Sequence, residues 1–231
     1  MKIFCMSDIH GHLDAFEDAL KLVLPRLDDP DTKLLLMGDY IHDGPNGRRV
    51  IDRIIGLQEK YGAEKVMALL GNHEELILWK LASIDDANMP YDGDSAENKK
   101  YVHWMNKLPR YYSEGNTIFV HAGIDEEAGD LWEWGTSDEI FTGKFPAETG
   151  KIEGIDMKVV AGHIGTSSIS GDPDFHDIFY DGAAHYYIDG TVSVSGVIPV
   201  MMVDTEKDKY YKVTEKGFIP VLPYVVNTAT N

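Results

Sequence analysis

The sequence is short of thiols and of positive charge. Cys5 is the one cysteine in 231 residues, so no intrachain disulfide can form, which fits a reducing compartment. It stands in an apolar run without a companion motif and reads as a core residue. Lys and Arg number 21 against 39 Asp and Glu, a formal charge of −18. Such a surface repels phosphate backbones, which argues against binding a nucleic-acid duplex, and any site that handles phosphate must create its own positive charge. No apolar run reaches the roughly 18 residues of a membrane span. The run before Ser7-Asp8 is too short for a signal-peptide core. The expectation is a cytoplasmic protein without a membrane partner, of open oligomeric state.

What is present is an ordinary folding composition, 43% apolar and 10% aromatic. A chain this long buries roughly 70% of its extended surface, so a single domain over residues 1–231 is expected. No repeat or Pro/Gly/Ser-rich linker divides it. Strand-length apolar runs at Lys2 to Ser7, Lys33 to Met37 and Val66 to Leu70 each end in a turn. Each precedes a helical pattern: Leu13 to Leu24 before Pro25, Val50 to Gln58 before Gly62, and Glu75 to Ser83. That alternation implies right-handed crossovers and a parallel core. The polar stretch after Ser83 and a helix from Tyr101 to Leu108 read as a cap insertion at about 85–110. Strands are then expected at Tyr111 to Glu114, Thr117 to His121, Lys158 to Gly162, His185 to Asp189, Pro199 to Asp204 and Lys209 to Thr214, giving a mixed sheet.

Five of these runs end in side chains able to hold a metal: Asp8-x-His10, Gly38-Asp39, Gly71-Asn72-His73-Glu74, His121-Ala122-Gly123 and Gly162-His163. Loops at the carboxyl ends of strands converge on one edge of an open sheet. Oxygen and imidazole donors without thiolates suit Mn, Fe or Zn. Taken singly, each has a plainer reading: Asp8 as a helix cap, Asn72 with Glu75 as a capping box, His121 or His163 as a core histidine. Their coincidence at five strand ends favours a converging site.

The ordered blocks D-I-H-G, G-D-Y-I-H-D-G, G-N-H-E, V-H-A-G and G-H resemble the calcineurin-like metallophosphoesterase superfamily. The nearest branch is that of the phosphoprotein phosphatases and bacterial diadenosine tetraphosphatases, and the likeness runs from Met1 to about Asp204, including Tyr187-Ile188-Asp189-Gly190, which is similar to the family's late I-D-x-G strand. The resemblance implies an α/β four-layer α/β/β/α sandwich of two mixed β-sheets flanked by helices. It implies two divalent or trivalent metal ions (Mn, Fe or Zn), one on Asp8, His10 and Asp39, the other on Asp39, Asn72, His121 and His163, with Asp39 shared. It further implies phosphoester hydrolysis by direct attack of a metal-activated hydroxide on phosphorus, with His73 serving the leaving oxygen. The substrate would be a phosphorylated protein or a nucleotide, including a dinucleoside polyphosphate; a metal- or phosphate-binding scaffold without turnover is the reading from a different class.

Three positions depart from the branch. Where it reads G-D-Y-V-D-R-G, this chain has His42 and Asp43, and Trp134 replaces a second arginine. The first change removes a carboxylate that orients the leaving-group histidine, and the other two remove guanidinium contacts to phosphate. Arg48 and Arg49 are the candidate substitutes for substrate binding, beside the plainer reading of solvent-facing helix arginines. Trp79, Trp104, Trp132, Trp134 and Tyr91 are candidates for stacking on a base or for packing.

Overall fold

The fold is that of a computed structural model, which describes residues 1–225; the last six residues of the expected 1–231 domain lie outside it. Eleven strands form two mixed sheets: β1 Lys2–Met6, β2 Thr32–Leu36, β3 Val66–Ala68, β4 Tyr111–Glu114, β5 Thr117–Val120, β6 Lys158–Ala161, β7 Phe179–Tyr180, β8 His185–Tyr187, β9 Met201–Asp204, β10 Lys209–Thr214 and β11 Gly217–Pro220. One sheet has the order β11-β10-β9-β1-β2-β3, the other β4-β5-β6-β8-β7. Strands β1, β2 and β3 run parallel, as the alternation with helices requires, and β5, β6 and β8 repeat this in the second sheet.

Side-chain alternation along the strands separates three apolar layers. Ile3 and Cys5 point to the space between the sheets, where they meet Phe119, Val160 and Tyr186 of the second sheet. Phe4 and Met6 point outward onto helices α1 Leu13–Val23, α2 Gly47–Tyr61 and α4 Lys99–Met105. Ile118, Val120 and Val159 form the outer face of the second sheet against Trp132 and Phe141, on the short helices α5 Trp132–Gly135 and α6 Asp138–Gly143. Strands buried on both faces read as continuous apolar runs, which is why the sequence shows them plainly.

The expected third helix is shorter than its periodicity. It spans Asn72–Leu78 (α3) and stops because Trp79 leaves helical geometry and Lys80 takes a left-handed backbone, φ 60°. The helix expected from Tyr101 starts two residues earlier, at Lys99, and packs Tyr101 and Met105 into the same core as α1 and α2. Strands β7 and β11 and the short helices α5 and α6 are additions the sequence did not announce. No helix among the described residues is long and apolar enough to cross a membrane.

Candidate metal centre

The loops that follow β1, β2, β3, β5, β6 and β8 leave the carboxyl ends of their strands together, and backbone hydrogen bonds fasten them to one another. Asp8 N donates to Gly38 O (3.2 Å), His10 N to Asp39 O (2.9 Å) and Gly11 N to Tyr40 O (2.9 Å), joining the first two loops. Gly162 N donates to His121 O (2.8 Å), joining the loops after β5 and β6. Asp8, His10, Asp39 and His163 have φ of 56°, 46°, 55° and 64°, a left-handed conformation that costs a non-glycine residue roughly 1–2 kcal/mol. The inter-loop bonds hold them there.

Glycines supply the room. A Cβ on Gly162 would lie 2.1 Å from Asp8 Oδ2, one on Gly71 would lie 2.2 Å from Asp39 Oδ1, and one on Gly38 would lie 2.7 Å from His121 Nδ1. Each glycine in the Gly-Asp, Gly-Asn and Gly-His pairs is therefore overlain by a candidate ligand from another loop.

The donor atoms converge on Asp39, which is buried. Its Oδ2 lies 3.4 Å from His121 Nε2, 3.6 Å from His10 Nε2 and 3.9 Å from His73 Nε2. Asp8 Oδ1 is 3.8 Å from His10 Nε2, and Asp8 accepts the His163 amide at 3.0 Å. Asn72 Oδ1 is 2.9 Å from His121 Nε2. One ligand atom each from His10, Asp39 and His73 lies within 4.8 Å of the others, and the same holds for Asp39, His121 and His163. All six residues expected as metal ligands are thus brought to one place.

The tautomers suit a cation. His10 Nδ1 is 3.2 Å from Ile41 O and His121 Nδ1 is 2.9 Å from Met37 O. A carbonyl only accepts, so both rings carry their proton on Nδ1 and turn the Nε2 lone pair toward the carboxylates. Lone pairs of imidazole, carboxylate and amide oxygen facing one another repel unless a positive charge sits among them. Burial alone would raise Asp39, yet the imidazoles of His121, His73 and His10 hold its carboxyl well below the usual range. Burial opposes the charging of His121, and the Asp39 carboxylate overrides it and pushes the ring up. The residues present therefore fit metal ions.

The structure also shows residues whose part the sequence did not reveal. Glu74 is buried and its carboxylate accepts from Asp39 N (2.8 Å), Tyr40 N (2.8 Å) and Gly71 N (3.1 Å), fixing the shared aspartate to the start of α3. Burial and the nearby Asp39 charge raise Glu74 to about 7. Buried Glu75 accepts from Thr142 Oγ1 (2.7 Å) and Arg110 Nη2 (2.9 Å), tying α3 to α6. Asp189 is buried beside the first loop, where burial and Asp8 raise it to about 7. The motif around Ile188 was the signal for it.

His42, which replaces a carboxylate of the resembling branch, contacts His73. Its Nε2 is 2.9 Å from Ser83 O and its Nδ1 is 2.7 Å from His73 Nδ1. Ser83 O fixes the His42 proton on Nε2, so His42 Nδ1 accepts from His73 Nδ1–H and leaves His73 Nε2 facing Asp39. Burial, followed by the imidazoles of His10 and His42, lowers His73, with Asp39 opposing. Arg48 is spoken for: its guanidinium binds Asn98 Oδ1 (3.1 Å), Asp92 Oδ2 (3.3 Å) and Asp85. Arg49 reaches Asn46 Oδ1 (3.1 Å) at the start of α2. Trp104 packs on Tyr40 and Trp132 on Tyr111, whereas Trp134 is 87% exposed and Trp79 52%.

Comparison with known proteins agrees with this geometry. Residues 1–190 match the family described as calcineurin-like phosphoesterase. A symmetrical bis(5'-nucleosyl)-tetraphosphatase from Acidovorax ebreus (strain TPSY) is 28% identical over 168 residues, 67% of this chain and 51% of that one. The chain spans about half the length of the curated relatives it matches. Among solved structures, a cold-active protein tyrosine phosphatase superposes with a TM-score of 0.65 at 14% identity, covering 96% of this chain and 79% of the other. A protein serine/threonine phosphatase from Saccharomyces cerevisiae does so with a TM-score of 0.60 at 15% identity, covering 99% and 82%. The structural matches bear out two mixed sheets flanked by helices, and the family match runs through every loop that meets at Asp39. The chain belongs to the calcineurin-like phosphoesterase family.

Proposed function

We propose that the protein is a metal-dependent phosphoester hydrolase working at the centre around Asp39. The observation that carries this is the position of Asp39 Oδ2 between the Nε2 atoms of His10, His73 and His121, at 3.6, 3.9 and 3.4 Å. Asp8, His10 and Asp39 would hold one cation; Asp39, Asn72, His121 and His163 would hold the other. When bound, such ions supply positive charge for the phosphoryl oxygens and acidify water. The chain's own part is to hold four of the six ligands, Asp8, His10, Asp39 and His163, in left-handed loops, to keep the imidazole lone pairs inward, and to place a proton donor. His73 is that donor in its charged form: its Nδ1–H is committed to His42, so a second proton, taken up from solvent on Nε2, is the one it gives to the leaving oxygen.

A nucleotide substrate is supported by the tetraphosphatase relatives. A phosphoprotein remains the other substrate class of the reading. The test is hydrolysis of bis-p-nitrophenyl phosphate and p-nitrophenyl phosphate with added manganese, with metal content measured on the same sample. Turnover abolished by Asp39→Asn, with one or both ions lost, upholds the proposal. A metal-replete protein that turns over no phosphoester refutes it in favour of a binding scaffold.

A further inference from the structure

The centre is rich in carboxylate, and no lysine or guanidinium stands among the charges that act most strongly on Asp39 and the imidazoles around it. Residues 226–231 contain no Lys or Arg, so every cation of the chain lies among the described residues. Three cations near the ligand loops are paired elsewhere, Arg48 with Asn98, Asp92 and Asp85, Arg110 with Glu75 and Asp138, and Lys144 with Glu126 and Ile124 O, while Arg49 is held to Asn46 Oδ1 at the start of α2. The charges acting most strongly on His10, Asp39, His73, His121 and His163 are carboxylates and imidazoles alone.

One carboxylate has no partner that explains it. Asp43 is 59% exposed at its side chain, and its Oδ2 lies 3.8 Å from His10 Nδ1, one ring away from the atom that faces Asp8 and Asp39. Its charge is felt at both His10 and His73. Among the described residues it makes no hydrogen bond, and its backbone is left-handed, φ 61°. Unlike buried Asp8 and Glu74, it keeps more than half of its side chain in solvent beside His10.

We propose that Asp43 is a specificity-determining residue that selects phosphoryl groups carrying one negative charge, namely phosphodiesters and the internal phosphates of a polyphosphate chain, over dianionic terminal monoesters. This rests on the hydrolase reading above. Two divalent ions less the charges of Asp8, Asp39 and Asp43 leave about +1, which matches a monoanionic diester. A monoester above its second ionisation, near pH 6, brings a second charge that only repels Asp43. At the separations of one site and a surface-like dielectric, one such charge shifts the ratio by about fivefold to tenfold. In the reaction the bond from water oxygen to phosphorus forms and the bond to the leaving alkoxide breaks. One proton of water reaches the leaving alkoxide, and above the second ionisation of the new monoester the other passes to solvent. The product is then a dianion, which the same carboxylate helps to expel.

The experiment compares bis-p-nitrophenyl phosphate, p-nitrophenyl phosphate and inorganic phosphate binding for the manganese-loaded full chain, at pH 5.5 and 8, with metal content measured throughout. Asn accepts the left-handed backbone, so Asp43→Asn is the first variant and Asp43→Glu, which keeps the charge, the second. At pH 8 the wild type should prefer the diester. Asp43→Asn should raise monoester kcat/KM and tighten inorganic phosphate about fivefold to tenfold, raise the diester value by no more than about threefold, and lose this difference at pH 5.5. Asp43→Glu should return the wild-type ratio. A wild type equally efficient on both esters, or an Asp43→Asn variant that moves both together with phosphate affinity unchanged, overturns the proposal. If no ester turns over, the hydrolase reading has failed, and the phosphate titration decides the role of Asp43 separately.

Discussion

Replacing Gly162 with alanine tests whether the glycines exist to make room for ligands. Gly162 does not need the left-handed region, so the alanine backbone is unstrained and the effect comes from one added methyl group. That methyl would lie 2.1 Å from Asp8 Oδ2 and 2.2 Å from Ser7 Oγ, so contact at about 3.2 Å requires something to move by about 1 Å. Ser7 Oγ can rotate away from its 3.3 Å bond to Met37 O. Asp8 has less freedom, since its backbone is left-handed and its carboxylate is tied to the His163 amide at 3.0 Å. Overpacking of this kind costs about 1–3 kcal/mol, offset by about 0.4–1 kcal/mol from the stiffer unfolded chain. A net loss of about 1–2 kcal/mol lowers the Tm of a domain this size by about 2–8 °C. A ligand pushed off its position also weakens metal binding by about 10- to 100-fold. Calorimetry on chelator-treated protein, followed by manganese titration, reads both numbers. Gly56→Ala is the control: it lies inside α2 with nothing within 4 Å of the new methyl, and should raise stability by about 0.5–1 kcal/mol. A Gly162→Ala protein with unchanged Tm and unchanged manganese affinity would refute the reasoning.

Two further outcomes follow from contacts away from Asp39. His42→Ala leaves His73 Nδ1–H and Ser83 O without their partner. It should cost about 1–3 kcal/mol and slow alkyl-phosphate cleavage at least about tenfold more than nitrophenyl cleavage; a uniform effect across leaving groups would show that His42 does not act through His73. His185, buried between Asp181 (3.1 Å) and Glu126 (3.3 Å), is desolvated yet raised above 6.5 by those carboxylates, while both carboxylates are lowered. The histidine's contribution is therefore full below pH 6.5 and lost as pH rises through its folded value; that of the carboxylates is full above about 4.5 and lost on acidification. The cluster should stabilise most between pH 4.5 and 6.5, and His185→Gln should flatten the fall in Tm above pH 6.5; a parallel fall in both proteins would contradict this.

The parts legible in the sequence were those where one physical cause acts on a short stretch. Lys2 to Met6 is apolar throughout because both of its faces are buried, and Gly38, Gly71 and Gly162 precede ligands because the next loop lies against them. The expected helix runs on to Ser83, past its end at Leu78, because Leu81 and Ala82 continue an apolar rhythm; Ala82 is buried from a loop while Leu81 is 62% exposed. Strand β7 has two residues, Phe179 and Tyr180, paired with Tyr187 and Tyr186, and too few for a pattern. Pairings such as His42 with His73 or Glu74 with the Asp39 amide span 31 and 35 residues, and nothing in either segment encodes the other.

Backbone strain connects these observations. Of nine non-glycine residues with positive φ among the described residues, six are Asp8, His10, Asp39, His42, Asp43 and His163. Glycine would relieve each at no steric cost, so their side chains must supply something the backbone penalty does not outweigh. At about 1 kcal/mol apiece the total, about 6 kcal/mol, is a large share of a typical stability of about 5–15 kcal/mol. It persists because the loops are over-determined: the Glu74 carboxylate takes three amides, and the first two loops exchange backbone bonds along Asp8, His10 and Gly11. Four of the six strained residues are the expected ligands; the other two, His42 and Asp43, sit where the sequence departs from the motif it resembles. Both keep a left-handed backbone while placing their side chains against His73 and His10, which is why His42 and Asp43 are the positions whose replacement should change substrate preference without dismantling the ligand loops.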